Sequence, residues 1–409
     1  MEAEQKISAN EQKAYSQNPG FKIPDNRLFR SLIDRFIKKN GIKPKWVPTV
    51  RKQIIRDWNR TVGSTKEKLW ALRSGFLPSR IAIYGLTKEN QSDFMSDFDI
   101  YRVHPANNHF EFWINDKITL KYILANPLCI DEKTQEYLDF MPEYYLYIEN
   151  DGRYSYLMNT PTTIKRGPNF LLDLLKWKKE LALKPSNGSG GRGFVHLKYK
   201  DGKIIANSEP IEESKFNDFA SQLNGYIITE YVYQHKELAE VWSGSECTLR
   251  IIVGKHWPDT YTGGELNVFA AYARFGTEMS GGACNMNTGG VAIDYNFETG
   301  EYGDNFFRYP GFGENGRTKY ETHPDTGVSL KGKKLPHYDL VKKATYAMCN
   351  YLSSLEYFGL DFVVTEDSVK LLEVNSLPPL FTPQALEGAA YKNEKTKQFF
   401  QHKLQQKRR

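Results

Sequence analysis

Leu181-Ala182-Leu183-Lys184-Pro185-Ser186-Asn187-Gly188-Ser189-Gly190-Gly191-Arg192-Gly193-Phe194 is an apolar run that ends in a lysine and opens into a glycine-rich loop. Gly188, Gly190 and Gly193 match G-x-G-x-x-G, but the dinucleotide fold that this spacing signals needs a helix after the loop. Here Phe194 to Lys200 alternates apolar with polar or basic residues, Asp201-Gly202 is a type I′ turn signal, and Lys203-Ile204-Ile205-Ala206 reads as the return strand. A Walker loop is excluded too, because no Gly-Lys-Ser/Thr follows the glycines. What remains is a loop between two strands of a sheet. Its backbone N–H groups, from Ser186, Gly188, Ser189, Gly190, Gly191 and Gly193, can close over a polyphosphate, with Lys184 aimed at it from the preceding strand.

A chain of 409 residues is too long for one compact core and divides into two or three lobes. Its 40% hydrophobic and 25% charged residues are those of a globular protein, and 14% aromatic residues suit large buried cores. No apolar run approaches the roughly 20 residues of a membrane helix, and Met1 to Lys6 lacks a signal-peptide core, so a cytoplasmic protein is expected. Cys129, Cys247, Cys284 and Cys349 form no C-x-x-C pair and read as buried thiols. The net charge of +6 is mild and as compatible with an anionic substrate as with nucleic acid, and no nucleic-acid partner is expected.

Residues 1–79 read as a helical N-terminal lobe: Pro24-Asp25-Asn26 starts a helix before Leu28, Leu32, Ile33 and Phe36, and Val50 to Trp58 and Lys66 to Gly75 follow. Residues 80–170 are a mixed α/β region with strand-like pieces at Arg80 to Tyr84 and Tyr144 to Ile148. A helix here is capped by Asp116, and Lys117 and Lys121, four residues apart, lie along one of its faces and are candidate phosphate contacts. Residues 171–235 would form a lid carrying the glycine loop, 236–395 a C-terminal subdomain, and 396–409 a basic tail. Gly225 to Tyr233 reads as a buried strand leaving into a connector. Backbone groups around Glu230, Tyr231 and Val232 suit the edge of an adenine, and Glu237 lies far enough on to reach ribose hydroxyls.

Arg250 and Arg274 each interrupt an apolar strand, and a buried guanidinium needs an anionic partner, either a structural carboxylate or a bound phosphate or acyl group. A bound anion is favoured for Arg250, and Arg274 is left open. The segment from Phe297 to His337, rich in Gly, Asn and Pro, reads as a long surface excursion. In Tyr357 to Asn375 two strands meet near Glu366-Asp367-Ser368, so Asp361 and Glu373 fall at corresponding ends and Glu373 and Asn375 share a face. Three oxygen ligands then converge as Mg²⁺ requires.

The ordered set Asp116-Lys117 with Lys121, Lys184 and its loop, Glu230 with Glu237, Arg250, and Asp361 with Glu373-x-Asn375 resembles the ATP-grasp superfamily over residues 110 to 380. Trp113 to Lys117, Met141-Pro142-Glu143-Tyr144-Tyr145, Lys184 to Gly191 and Thr248-Leu249-Arg250 look similar to its sugar-transfer-associated group, which tends to go with surface-polysaccharide biosynthesis. The resemblance implies an α+β ATP-grasp fold in which two α+β subdomains hold ATP between them. It also implies Mg²⁺ on the phosphates and ADP-forming ligation of a small carboxylate to an amine through an acyl phosphate. An ATP-dependent phosphotransferase, or a nucleotide-binding protein without turnover, would use the same nucleotide residues. One departure stands out: many ligases of the superfamily carry an arginine just before the metal-binding Asp, where this chain has Gly359-Leu360. The oxyanion-stabilising role is then expected to pass to Arg250 or Arg274.

Overall fold

The computed structural model describes residues 21–186, 193–256, 265–281, 283–310, 312 and 317–406. Helices α1 (Arg27–Lys39), α2 (Val47–Arg60) and α3 (Thr65–Arg73) open the chain. Their starts follow local chemistry. The Asn26 side chain accepts from the Phe29 N–H at 3.0 Å, and Ser64 and Glu67 form a reciprocal capping box that satisfies donors which the first turn leaves free. Ile37, Val50, Ile54 and Trp58 bury a small core among them.

Arg80 to Tyr84, expected as a strand, is instead a short helix, α4 (Arg80–Ile83). The cause is tertiary: Arg80 donates to Asp97 at 2.8 Å, and its guanidinium lies 3.8 Å from the centre of the Phe381 ring, contacts that a five-residue apolar alternation does not encode. Three further helices follow, α5 (Asp97–Val103), α6 (Glu111–Asn115) and α7 (Lys117–Ile123). Asp116 caps α7 as expected, accepting from the Thr119 N–H at 2.6 Å.

After a two-stranded hairpin of β1 (Leu128–Asp131) and β2 (Glu136–Leu138), the chain builds two seven-stranded antiparallel sheets. The first contains β3 (Tyr144–Ile148), β4 (Tyr154–Tyr156), β5 (Glu180–Pro185), β6 (Val195–Lys200), β7 (Lys203–Ala206), β8 (Glu209–Ile211) and β9 (Tyr226–Glu230), in the order β4-β3-β9-β5-β6-β7-β8. Its strands therefore come from both sides of residue 170. Helix α8 (Phe170–Lys178) covers one face, because Phe170, Leu171, Leu174 and Leu175 fall on a single stripe and bury together against Leu181, Leu183 and Ile228.

The second sheet contains β10 (Thr248–His256), β11 (Glu265–Phe275), β12 (Val291–Asp294), β13 (Phe306–Arg308), β14 (Lys319–Tyr320), β15 (Tyr357–Val364) and β16 (Val369–Asn375), in the order β14-β13-β12-β11-β10-β15-β16. Two of these strands arise within residues 297–337, which is thus no mere surface excursion: Phe306 and Phe307 are buried, one on each side of the sheet. Helix α9 (Tyr338–Tyr351) packs Val341, Ala344 and Met348 on one face. The other face is closed by helix α10 (Glu394–Gln406), whose Phe399 and Phe400 meet Phe269 and Tyr357. The expected basic tail is therefore mostly a core helix. Lys395 is exposed, but Lys403 is buried and paired with Glu356, and two aromatics adjacent in sequence close the core.

Phe400 is 0% exposed, so Phe400→Ala removes a whole ring from this core. A loss of about 3–5 kcal/mol in urea unfolding is expected. A loss below a kcal/mol would mean that α10 is an appendage.

Candidate active site

The chain passes from the first sheet to the second through residues 231–235, and the connector is tied down by polar contacts. The Gln234 amide donates to the Trp242 carbonyl at 2.8 Å and accepts from the Cys247 N–H at 2.7 Å, while the His235 N–H donates to the Val364 carbonyl at 2.7 Å. Across the same boundary, the Leu371 N–H reaches the Phe140 carbonyl at 2.7 Å. The side chains read as phosphate and metal contacts border this junction.

Lys184 ends the buried part of β5, and the Tyr144 ring lies beneath it, with Nζ 5.7 Å from the ring centre. Lys121, buried on α7, sits at the same distance from the same ring. Lys117, one turn earlier, places its Nζ 3.4 Å from Glu373. Burial and then the neighbouring Lys117 ammonium pull Lys184 down to about 8, against the opposing pull of Glu373 and Glu230. Burial lowers Lys121 as well, and Lys370 adds to the effect against Asp139 and Glu230. Buried ammonium groups crowded this way in one cleft are less stabilised than in water even with Asp139, Glu143, Glu230 and Glu373 nearby, a setting suited to a polyanion. Sequence reasoning singled out the three lysines but gave no role to Tyr144, the ring that supports two of them. It appeared only within the quoted Met141 to Tyr145 text.

Of the glycine loop, Gly188, Ser189, Gly190 and Gly191 lie outside the described residues. The loop's two ends are described. Ser186 is buried, and its N–H donates to the Gly225 carbonyl at 2.9 Å. Gly193 has φ +78°, and a Cβ there would come within 2.9 Å of Pro185 and the Tyr226 hydroxyl, so only glycine fits where the loop rejoins β6.

The β15–β16 hairpin has the expected register, with Asp361 opposite Glu373. Asp361 also stands opposite Arg250 on β10, and Thr248 opposite Arg274 on β11, so one sheet face carries all four side chains Glu373, Asp361, Arg250 and Arg274. Arg250 donates through Nε and Nη2 to the two oxygens of Asp361, and Arg274 Nη2 lies 2.8 Å from Oδ2. Burial opposes the charge of Asp361, but Arg250 and then Arg274 outweigh it and hold the carboxyl well below the usual carboxylate range.

The preference for a bound anion as the partner of Arg250 is thereby corrected: the structure pairs it with the Asp361 carboxylate, 111 residues further along the chain but on the adjacent strand. The departure at Gly359-Leu360 also finds its geometry. A Cβ on Gly359 would lie 3.1 Å from Arg250 Cδ, so the β10 arginine occupies the space above that glycine. Arg274 keeps a buried Nε with no hydrogen-bond partner among the described residues, which makes it the less committed of the two guanidinium groups.

Glu373 is partly exposed, and the Asn375 amide lies 3.4 Å from it on the same face. No cluster of three or more His, Cys, Asp or Glu suited to a metal occurs among the described residues. The oxygen set nevertheless fits a hard cation. A carboxylate offers about four lone-pair directions, and three of those on Asp361 face guanidinium N–H groups, which leaves one on Oδ1, with Glu373 opposite on the neighbouring strand.

In the connector, Glu230 donates its N–H to the Glu143 carbonyl at 2.9 Å, and burial raises its carboxyl. Tyr231 stacks on His196 at 3.4 Å between ring centres and donates its hydroxyl to Glu246. His196 is 2.6 Å from Glu180, yet burial dominates and draws the imidazole down to about 4. Val232 is half-buried in the same connector, and Glu237 is exposed in the first turn of the helix Lys236–Val241, apart from the lysine cluster. His196, like Tyr144, was not singled out, because one histidine in an alternating strand carries no signal.

The family model described as sugar-transfer associated ATP-grasp matches residues 114–399. No curated protein matches the chain in sequence. Similar solved structures include D-alanine–D-alanine ligase from Bacillus anthracis, with 13% identity and a TM-score of 0.34 over 72% of this chain and 68% of that one. An ATP-grasp ligase, PsnB, complexed with its minimal precursor shows 10% identity and a TM-score of 0.34, covering 74% and 63%. N5-carboxyaminoimidazole ribonucleotide synthetase from Thermotoga maritima shows 11% and 0.33, covering 70% and 49%. The chain thus spans about half the length of that synthetase and less than two thirds of PsnB.

Removing one partner of a buried ion pair is costly, so Arg250→Met is expected to destabilise the chain by about 3–5 kcal/mol. The acid limb supplies a second check. Asp361 titrates below its ordinary 3.8 in the folded chain, so its contribution is complete above that value and is lost as the pH falls below it. Urea midpoints measured across and below that pH should fall less steeply for Arg250→Met than for wild type. Equal stability and equal slopes would contradict the pairing.

Proposed function

From the membership of this chain in the sugar-transfer-associated ATP-grasp family, we propose that it is an ATP-dependent, ADP-forming ligase that joins a carboxylate to an amine through an acyl phosphate. One observation carries the reading: Lys184 of the first sheet and Lys117 of α7 crowd together beside Glu373, where burial and then mutual repulsion disfavour the Lys184 charge. The phosphates of ATP favour that charge. In this reading Lys121 and Lys184 hold the α/β-phosphates, the loop from Ser186 to Gly193 covers the γ-phosphate, and Lys117 answers to the same polyanion. The connector at Glu230, Tyr231 and Val232 receives the adenine, and Glu237 the ribose. Asp361, Glu373 and Asn375 would hold Mg²⁺, which when bound neutralises charge on the transferred phosphates.

The residues of the chain then act by position and charge. The γ-phosphoryl passes to the substrate carboxylate, the bond to the β-phosphate oxygen breaks, and ADP leaves. The amine next attacks the acyl carbon, expels inorganic phosphate and loses its proton. Arg274, with its uncommitted Nε, is the guanidinium to receive the oxyanion, and Arg250 orients it through Asp361. Amino acids and sugar-derived acids and amines are the substrates to screen. Surface-polysaccharide or natural-product assembly, in a cytoplasmic setting, is the corresponding role.

ADP release should require a carboxylate and an amine together. ADP formed with a hydroxyl acceptor and no amine would replace this reading with a phosphotransferase. Lys184→Met should weaken ATP binding on the order of 10 to 100-fold, the usual worth of a charge-assisted contact; Glu373→Gln should abolish turnover with the fold intact.

Lys184 also makes ATP binding depend on pH. Free Lys184 is protonated below about 8, and phosphates raise its pKa, so little proton uptake accompanies binding below that value and close to one proton is taken up above it. Calorimetry in buffers of different ionisation enthalpy measures this number. Uptake that persists in Lys184→Met would assign the proton elsewhere.

A further inference from the structure

The charge of the molecule is unevenly distributed. Residues 21–79 contain 15 Lys+Arg against 4 Asp+Glu, a net +11 in a chain whose total is +6, so everything outside this lobe is acidic on balance. The lobe lies outside the residues matched by the family model and takes no part in the cleft. Its first helix is only half used by the fold. Ile33, Phe36 and Ile37 turn inward to the lobe's core, whereas Leu28 and Leu32, one turn apart on the flank of that stripe, are 66% and 49% exposed. Phe21, its ring 6.3 Å from that of Phe29 at the start of the helix, is 54% exposed.

Scattered apolar residues on a surface are ordinary, but a stripe of them set among cations is not. Arg35 and Lys39 continue the line of Leu28 and Leu32 at helical spacing. Beside it, a shallow concavity of about 720 Å³ is lined by Arg27, Arg30, Arg35 and Lys38 together with Asp25 and Asp34. The two acids are already committed, Asp25 to Arg30 at 2.6 Å and Asp34 to Arg51 at 2.5 Å. Arg27, Arg35 and Lys38 make no ion pair among the described residues.

We infer that the outer face of α1 is a membrane-docking surface, which seats Phe21, Leu28 and Leu32 at the headgroup–acyl boundary of an anionic bilayer and sets Arg27, Arg35 and Lys38 against lipid phosphates. The charge pattern matches a negatively charged surface, and the aliphatic side chains at its centre select lipid over other polyanions. A nucleic-acid backbone offers nothing against which to bury Leu28 and Leu32, and the lobe's charge, opposed by the acidic remainder, orients the molecule with this face toward the membrane.

The test is sedimentation of the full chain with phosphatidylglycerol/phosphatidylcholine vesicles and with phosphatidylcholine vesicles alone. Wild type should bind the anionic vesicles, weaken as salt is raised, and ignore the neutral ones. Leu28→Glu/Leu32→Glu and, separately, Arg35→Glu/Lys38→Glu should each lose on the order of tenfold or more in vesicle affinity. Both should keep the wild-type melting temperature and ATP affinity, since these side chains are outside the core and the cleft. Leu28→Trp adds a reading independent of affinity: its emission should shift to the blue when anionic vesicles are added. Failure of wild type to bind anionic vesicles, or binding that Leu28→Glu/Leu32→Glu leaves unchanged, would overturn the inference. Binding of a DNA duplex that is tighter than vesicle binding, and insensitive to Leu28→Glu/Leu32→Glu, would reassign the face to nucleic acid.

Discussion

A carboxylate buried between two guanidinium groups is the constraint on which the second sheet and the site depend. Asp361 is 3% exposed, and neither it nor Arg250 would be tolerable in that position alone, since an uncompensated buried charge costs several kcal/mol. Together with Arg274 they link β15, β10 and β11 by charge as well as by backbone hydrogen bonds. The triad carries a net positive charge. Glu373, one strand further, and Lys117 beyond it continue an alternation of sign across the sheet face that ends at the cleft. The space above Gly359 belongs to this arrangement, because a side chain there would compete with the stem of Arg250.

The cleft presents a different situation, with ammonium groups brought together from separate elements and lowered by burial. Lys184 arrives on β5, Lys117 and Lys121 on α7, and the Tyr144 ring of β3 separates two of them. Such a site is stable because lysine can shed its charge when desolvated, as an arginine cannot. The chain uses the two cations accordingly. Arginines occupy the ion pairs of the sheet face, and lysines the buried positions of the cleft.

Much of the architecture was legible in the primary structure, and the reason differs from element to element. The Phe194 to Ala206 hairpin and the Asp361–Glu373 register followed from period-two alternation around short turns, which fix pairing within one hairpin. The caps at Asn26 and Asp116 followed from side chains that compete locally for backbone donors. The short helix at Arg80–Ile83, the strands within residues 297–337 and the core role of Phe399 and Phe400 did not follow, because each depends on partners far along the chain: Asp97 and Phe381, β12, and Phe269 with Tyr357.

Residue types in order along the chain were enough to mark Lys117, Lys121, Lys184, Glu373 and Asn375, since lysines beside a glycine loop and oxygen ligands at hairpin spacing carry their chemistry in their own side chains. Only the tertiary structure decided that Arg250 spends its guanidinium on Asp361, that Arg274 retains a donor without a partner among the described residues, that the Tyr144 ring lies beneath Lys184, and that His196 stacks on Tyr231. The partner of a buried charge is set by which strands lie side by side. Strand order in an antiparallel sheet is a property of the assembled sheet and not of any one segment.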